Sequence, residues 1–135
     1  SLIKEGRFDE ISRLTQKAVE KMLGFELKHV GINTQTEEEA LHEADRMARL
    51  FGWPVRNKNS SVFSGSAFEL MKSRYLGEHG HIAIGTNSVD RAYAYLRASG
   101  YRFREDTAKR DASGTLAAIY LEDELAGFAI HLAKK

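Results

Sequence analysis

Two segments of the chain begin with a histidine and continue in the alternating pattern of a β-strand. They read HVGINT at residues 29–34 and HIAIGT at residues 81–86, an offset of 52 residues. Successive side chains of a strand point to opposite faces. His29 and His81 therefore lie opposite the valine and isoleucine residues, which we expect to pack against helices. The repeat is best interpreted as a duplicated module that closes on itself.

Two further residues with metal-binding side chains follow the same rule. Glu69 and His131 each lie between two apolar residues of a strand-like segment, so we expect all four side chains to converge on one cavity. A buried charge is costly unless it is paired or bound to a metal. Three imidazoles and one carboxylate suit Zn²⁺, Ni²⁺, Co²⁺, Fe²⁺ or Mn²⁺ better than Ca²⁺ or Mg²⁺. The alternatives are structural hydrogen bonding by the histidines, an ion pair between Glu69 and a basic residue, and a bare polar cavity.

The composition limits the classes of protein to which the chain can belong. Its 135 residues suffice for one domain with a sizeable core, and its formal net charge is +1. That balance does not favour binding to nucleic acid or to an anionic membrane. The chain has no cysteine, which excludes disulfides, and no apolar run long enough to span a bilayer. We expect a soluble, cytoplasmic domain with neither nucleic acid nor a membrane as its partner.

The elements that position these side chains form two βαβββ modules preceded by one helix, which makes the predicted fold class α+β. The extra helix occupies residues 1–24, and module one (25–73) and module two (80–135) follow it. Asp9 is the expected N-cap of the first helix and Gly24 its C-terminal stop. The apolar stripe of this helix is expected to consist of Ile11, Leu14, Ala18 and Met22.

Within each module a helix follows the first strand, and three strands follow the helix. In module one, Thr36 and Glu39 form a capping box for a helix that runs to about Phe51. In module two, Ser88 caps a helix that stops at Gly100. The later strands are expected at residues 55–59, 61–64, 67–72, 101–104, 116–121 and 127–132, with turns at residues 111–114 and 122–124.

Other polar and aromatic residues are expected to have less specific roles. His42 and His79 are expected to be solvated, and Trp53 and Tyr120 to serve packing rather than ligand stacking. Four basic residues could line the mouth of the cavity and attract an anionic substrate, or simply be solvated at the surface. They are Lys72, Arg74, Arg102 and Arg104.

The order of elements resembles the vicinal oxygen chelate superfamily, which includes glyoxalases, bleomycin-resistance proteins and dioxygenases. The resemblance covers residues 25–135 and is clearest in three segments, GHIAI at 80–84, AIYLED at 118–123 and GFAIHL at 127–132. It implies two modules curled into an incomplete barrel around a divalent metal with the ligands His29, Glu69, His81 and His131. The family commonly has glutamate in a closing pattern such as Gly-x-x-Ile-Glu-Leu. Histidine at position 131 changes the charge of the ligand set and leaves the metal and the reaction open.

A second resemblance concerns residues 1–24 alone. The segment LIKEGRFDEI at residues 2–11, continued through Ala18 and Val19, is similar to the last helix of 2-keto-3-deoxy-phosphogluconate / 4-hydroxy-2-oxoglutarate aldolases. These are (β/α)₈ barrels that use a Schiff-base lysine. The resemblance implies that the chain is the C-terminal part of a fusion protein with an aldolase barrel as its partner. The barrel strands and their lysine are missing here, so no aldolase activity is expected from this chain alone.

Two functional hypotheses follow. In the first, the chain is a metal-dependent lyase or isomerase domain of the glyoxalase-like class, whose metal binds two vicinal oxygens of a small metabolite in sugar-acid metabolism. Glu69, or a water on the metal, would act as catalytic base. In the second, it is a non-catalytic domain that senses a metabolite or holds the aldolase oligomer together. A homodimer, with or without exchange of modules between two chains, stays open.

Overall fold

The computed structural model describes residues 8–135, and within that range the chain forms three helices and eight strands. The helices are α1 (Phe8–Leu23), α2 (Glu37–Phe51) and α3 (Val89–Ala98). The strands are β1 (Glu26–Asn33), β2 (Val55–Asn57), β3 (Ser61–Ser64), β4 (Phe68–Met71), β5 (Gly80–Thr86), β6 (Phe103–Arg110), β7 (Leu116–Leu125) and β8 (Phe128–Lys134). Residues 1–7, which carry part of the aldolase-like segment, lie outside the described residues.

All eight of these strands belong to one open sheet, in the order β2-β3-β4-β1-β5-β8-β7-β6. The two modules meet in the middle, where β1 pairs antiparallel with β5. Each central strand is flanked by the last strand of its own module, running parallel to it: β4 beside β1, and β8 beside β5. The four central strands carry the four predicted ligand residues.

Helices α2 and α3 cover one face of the sheet, each over its own module, and two core clusters result. In module one the buried members are Ala40, Ala44, Val62 and Leu70. The second cluster consists of Leu23 of α1 and six residues of module two, Val89, Ala92, Phe103, Leu116, Ile119 and Leu132. Since helices fill this face with apolar contacts, the opposite face is the one left for polar side chains.

Helices α2 and α3 begin at the predicted N-caps. The Thr36 hydroxyl accepts a hydrogen bond from the Glu39 N–H at 3.1 Å, and the Ser88 hydroxyl accepts one from the Arg91 N–H at 3.2 Å. These bonds satisfy backbone donors that the first turn of a helix leaves without partners. Gly52, in the left-handed conformation, ends α2 as expected. The caps thus set where each helix starts relative to the strand that precedes it.

The later strands depart from the prediction in their lengths. β2 ends at Asn57, two residues early, whereas β6 continues to Arg110, well past the expected end at residue 104. β7 continues through residues 122–124, for which we predicted a turn. The turn lies instead at residues 126–127, both of which have positive φ. An acidic segment is compatible with a strand here because all three side chains are exposed.

Helix α1 is held to the domain through its last turn. Leu23 is buried in the core of module two, and its carbonyl accepts hydrogen bonds from the Thr86 hydroxyl at 2.7 Å and the Asn87 N–H at 2.9 Å. The predicted apolar stripe is wrong as a packing face: Leu14 and Met22 are about half exposed, and Val19 joins Leu23 against the core. Periodicity shows which side of a helix is apolar, but it does not show where the domain lies.

Candidate metal centre

The four candidate ligands lie at corresponding places on the four central strands. They are His29 on β1, Glu69 on β4, His81 on β5 and His131 on β8. Gly31 is the register partner of both Glu69 and His81, and Ala83 is the register partner of both His29 and His131. The two modules are therefore related by a local twofold relation in which His131 occupies the position that Glu69 has in module one.

Three of these side chains contact one another through the atoms that would bind a metal. His29 Nε2 lies 2.9 Å from Glu69 Oε2, and His81 Nε2 lies 3.3 Å from the same oxygen. The two Nε2 atoms are 3.2 Å apart. Ligand atoms that lie about 2.0–2.1 Å from a tetrahedral zinc ion are about 3.3 Å from one another. The triangle has this spacing, although the same distances also suit hydrogen bonds.

His131 distinguishes a metal centre from a simple hydrogen-bonded cluster. One ligand nitrogen from each of the three histidines lies within 4.8 Å of the other two. Yet neither ring nitrogen of His131 has a hydrogen-bond partner among residues 8–135, and Nδ1 of His81 has none either. Buried polar atoms without partners cost folding free energy. Hydrogen bonding within the cluster does not account for the ring of His131. A bound cation would give one of its ring nitrogens a partner.

The electrostatics of the cluster favour the ligand forms of its side chains. Burial would raise the pKa of Glu69, but hydrogen bonds from His29, His81 and Ser61 outweigh it and hold that pKa well below its usual range. Burial, with the nearby rings of His81 and His29, lowers the pKa of His131 to about 3. At neutral pH Glu69 is therefore a carboxylate and His131 a neutral imidazole, the forms that bind metal ions.

Gly31 makes the arrangement sterically feasible. A Cβ atom at this position would lie 2.0 Å from Cε1 and 2.2 Å from Nδ1 of the His81 ring. Such distances are far shorter than any van der Waals contact. The imidazole of His81 thus lies directly over the bare backbone of its cross-strand partner. The repeat pattern placed Gly31 on the face of the site, but only the structure shows that its missing side chain makes room for a candidate ligand.

The cluster lies in a cavity of about 280 Å³ that side chains of both modules line. The other lining residues are Ser60, Met71, Ser73, Tyr75, Thr107, Lys109, Ala118 and Tyr120. Pockets for drug-sized ligands have volumes of about 300–1,000 Å³. The cavity therefore suits a small molecule, or the reacting end of a larger one.

Tyr120 packs as predicted, and it also lines the cavity. Its ring stacks on His131 with the centroids 4.6 Å apart. Burial, with Tyr75 and Glu69 nearby, raises the pKa of Tyr120, so its hydroxyl stays protonated and can donate a hydrogen bond. The signal was present in the sequence: Ile119 faces the helices, so alternation along β7 puts Tyr120 on the side of the site.

The basic residue of the cavity is also one that the sequence did not indicate. The lining residues that the structure describes include one lysine, Lys109, and no arginine. Lys72 instead bonds the Glu37 carboxylate at 3.2 Å, and Arg104 pairs with Asp106 at 3.6 Å. None of the four basic residues considered at the mouth lines the cavity; Arg74, Arg102 and Arg104 are exposed, whereas Lys72 is partly buried. His42 is solvated, with 65% of its side chain exposed.

An open eight-stranded sheet of two βαβββ modules, with helices on one face and a polar cavity on the other, defines the glyoxalase-like fold, also called the vicinal oxygen chelate fold. Solved structures confirm the fold predicted from the sequence. The chain is similar to methylmalonyl-CoA epimerase of Streptomyces coelicolor in complex with 2-nitronate-propionyl-CoA, with a TM-score of 0.60 and 18% identity over 82% of this chain and 94% of that one.

Two further structures show the same fold. One is methylmalonyl-CoA epimerase of Mycobacterium tuberculosis, with a TM-score of 0.58 and 17% identity over 84% of this chain and 89% of that one. The other is a hypothetical protein of Bacillus halodurans, with a TM-score of 0.58 and 18% identity over 82% of this chain and 94% of that one. At such identities the similarity establishes the fold alone.

The remaining comparisons found no relatives. No protein-family model matches the chain, and no curated protein is similar to its sequence. The aldolase resemblance of residues 1–24 has no support from these comparisons. Within residues 8–135, no helix combines the length and the apolar character that crossing a bilayer requires.

Proposed function

We propose that the chain is a metal-dependent enzyme domain of the glyoxalase-like class, with a divalent transition metal held by His29, Glu69, His81 and His131. One observation carries the proposal: three imidazoles and a partly buried carboxylate converge from equivalent strands of two modules, and within residues 8–135 no side chain of the cluster hydrogen-bonds the ring nitrogens of His131. This donor set favours Zn²⁺, Ni²⁺, Co²⁺, Fe²⁺ or Mn²⁺ over Ca²⁺ and Mg²⁺.

The metal, when bound, would act as a Lewis acid that polarises two vicinal oxygens of a small substrate and stabilises negative charge on them. The residues of the chain divide the other tasks. A general base works best when its pKa is near the working pH. The low pKa of Glu69 therefore favours its role as a ligand over its role as catalytic base. The protonated hydroxyl of Tyr120 is suited to donate a hydrogen bond to a substrate oxygen.

The reaction class we propose is that of an isomerase or lyase that acts next to a carbonyl group. The similar epimerase structures contain 2-nitronate-propionyl-CoA or methylmalonyl-CoA. In this chain, a cavity of about 280 Å³ would accommodate a group the size of an acyl unit rather than a whole CoA ester. A small oxygenated metabolite, free or at the end of a carrier, is the corresponding substrate.

The metal centre is tested by metal analysis of the purified chain and by titration of metal-free protein with Zn²⁺ or Co²⁺. We expect one ion per chain. His81→Ala should lower the affinity about tenfold or more, because it removes a ligand. His42→Ala removes an exposed histidine and should leave the affinity unchanged. Failure to bind a stoichiometric metal after reconstitution, or equal effects of the two substitutions, would contradict the metal centre and favour the non-catalytic alternative.

We also propose that the domain follows an aldolase barrel in a longer protein, a hypothesis that rests on the resemblance of residues 1–24. The exposure of α1 supports it. Phe8, Leu14 and Met22 are each about half exposed or more, while the helix is anchored at Leu23. A helix that completes a preceding barrel would have such apolar side chains covered there. In that setting the ligand of the domain would be a metabolite of sugar-acid metabolism.

A further inference from the structure

We propose that Lys109 is the anion-recognition residue of the cavity, and that the ligand is a small organic acid with an oxygen atom on the carbon next to its carboxylate. The inference rests on the proposed function, because it names the substrate class of the same site. It starts from the lining of the cavity. Among the residues that the structure describes, this lining contains one lysine, Lys109, and no arginine.

A β-bulge in β6 brings Lys109 to the cavity. Glu105 faces the helix layer, since its carboxylate accepts a hydrogen bond from the Tyr93 hydroxyl of α3 at 2.6 Å. Uninterrupted alternation would place residues 107 and 109 on that same face. Instead Ala108 packs against the core of module two, and the register with β7 shifts before Lys109. A bulge re-aims the side chains that follow it, and here it turns Thr107 and Lys109 to the side of the site.

The bulge is held in place by hydrogen bonds to its own strand and to the next. Thr107 Oγ1 donates to the Arg104 carbonyl at 2.6 Å and accepts a bond from the Tyr120 N–H at 3.0 Å. Tyr120 in turn stacks on His131. The position of the Lys109 backbone is therefore coupled to the metal cluster through two adjacent strands.

The ammonium group of Lys109 has no partner within residues 8–135. None of the ion pairs or hydrogen bonds formed in that range involves it. Its basic neighbours along β6 differ, since Arg104 pairs with Asp106 at 3.6 Å and Arg110 with Asp90 at 3.8 Å. A cavity lysine whose ammonium group pairs with no carboxylate is available to an anionic ligand.

The charge balance of the loaded site indicates the ligand class. The one carboxylate of Glu69 does not neutralise a divalent cation together with the Lys109 ammonium, and the imidazole of His131 can add no negative charge. An organic acid would bring negative charge and two adjacent oxygens at once. A neutral hydroxyketone of the same size would bring the oxygens only, and the cavity volume of about 280 Å³ restricts both to a few carbon atoms.

The test compares lactate with hydroxyacetone, its neutral counterpart, by calorimetry on the Co²⁺-loaded chain and by the Co²⁺ absorption spectrum. We expect lactate to bind about tenfold more tightly, and Lys109→Met to remove most of that advantage. The affinities for hydroxyacetone and for Co²⁺ should stay unchanged in the variant. Arg104→Met is the matched control, because it removes a cation of the same strand outside the cavity, and it should change lactate affinity by less than about twofold.

Equal affinities for lactate and hydroxyacetone, or equal losses in the two variants, would overturn the inference. Tighter binding of methylphosphonate than of lactate would overturn the assignment to carboxylic acids. A chain that binds no Co²⁺ refutes the metal centre separately, and lactate is then titrated into metal-free protein and followed by chemical-shift changes. In that case binding that is lost in Lys109→Met supports the role of Lys109, whereas unchanged or undetectable binding overturns it.

Discussion

The space above Gly31 offers a direct test of how the candidate metal centre is built. Gly31 of β1 is the cross-strand partner of His81 on β5, and a Cβ atom on Gly31 would lie 2.0 Å from Cε1 of the imidazole. Non-bonded carbon atoms prefer separations of about 3.5–4.0 Å. Gly31→Ala must therefore displace the ring by about 1.5 Å or push the two central strands apart.

The size of the effect follows from that displacement. Overpacking of a well-packed site costs about 1–3 kcal/mol of unfolding free energy. Distances in metal sites hold to within about 0.2 Å, so a displaced His81 no longer coordinates, and the affinity for Zn²⁺ should fall about tenfold or more. Gly85→Ala is the matched control on β5. Its Cβ would meet flexible side chains, Lys135 at 3.3 Å and Glu26 at 3.6 Å, and should cost less than about 0.5 kcal/mol.

A double-mutant cycle isolates the contact. Urea unfolding is measured with chelator present for the parent chain, Gly31→Ala, His81→Ala and the combination of both. If Gly31 is needed to make room for His81, the methyl group fits into the vacated space, and adding Gly31→Ala to His81→Ala costs almost nothing. The coupling free energy should then be about 1–3 kcal/mol. The same cost of Gly31→Ala in both backgrounds would refute the reasoning and point to a backbone requirement at residue 31.

Two further predictions concern acid and the first helix. The folded pKa of His131, about 3, lies below its ordinary 6.5, so below pH 6.5 only the unfolded chain takes up this proton, and metal-free protein should lose about 1.4 kcal/mol of stability per pH unit on acidification toward pH 3. Urea unfolding between about pH 4 and pH 7 should show a smaller slope in His131→Gln but not in His42→Gln, and equal slopes in both variants would contradict this. Deletion of residues 1–22 keeps Leu23 in the core and should leave a cooperative thermal transition. Loss of that transition would show that α1 belongs to the folding unit.

The part of the fold that could be predicted depends on local signals. The two histidine-led segments became β1 and β5, the antiparallel pair at the centre of the sheet. Thr36 and Ser88 cap their helices because each hydroxyl needs only a backbone donor three residues away. Alternation within these short strands was enough to separate the helix face from the face of the site, and so to nominate His29, Glu69, His81 and His131.

The parts that were missed depend on contacts between distant residues. The bulge in β6 is set by the bond between Thr107 and Tyr120, thirteen residues further along the chain. No local pattern contains that bond. The strand was therefore expected to end at residue 104, and Lys109, which lies beyond that point, went unnoticed. The true packing side of α1 is likewise decided at its end, where Leu23 enters the core of module two.

The histidine at position 131 and Lys109, which has no ion-pair partner within residues 8–135, bear on one property of the proposed site, its charge. Glu69 and His131 occupy equivalent positions in a duplicated module, beside Gly31 and Ala83 respectively. A carboxylate at both positions would offset a divalent cation and leave Lys109 with an acidic neighbour in the same cavity. Histidine at 131 removes one of those negative charges while it keeps a metal-binding nitrogen. If the proposed metal binds, histidine at 131 and the unpaired Lys109 both leave the cavity positive, and an anionic ligand would supply negative charge.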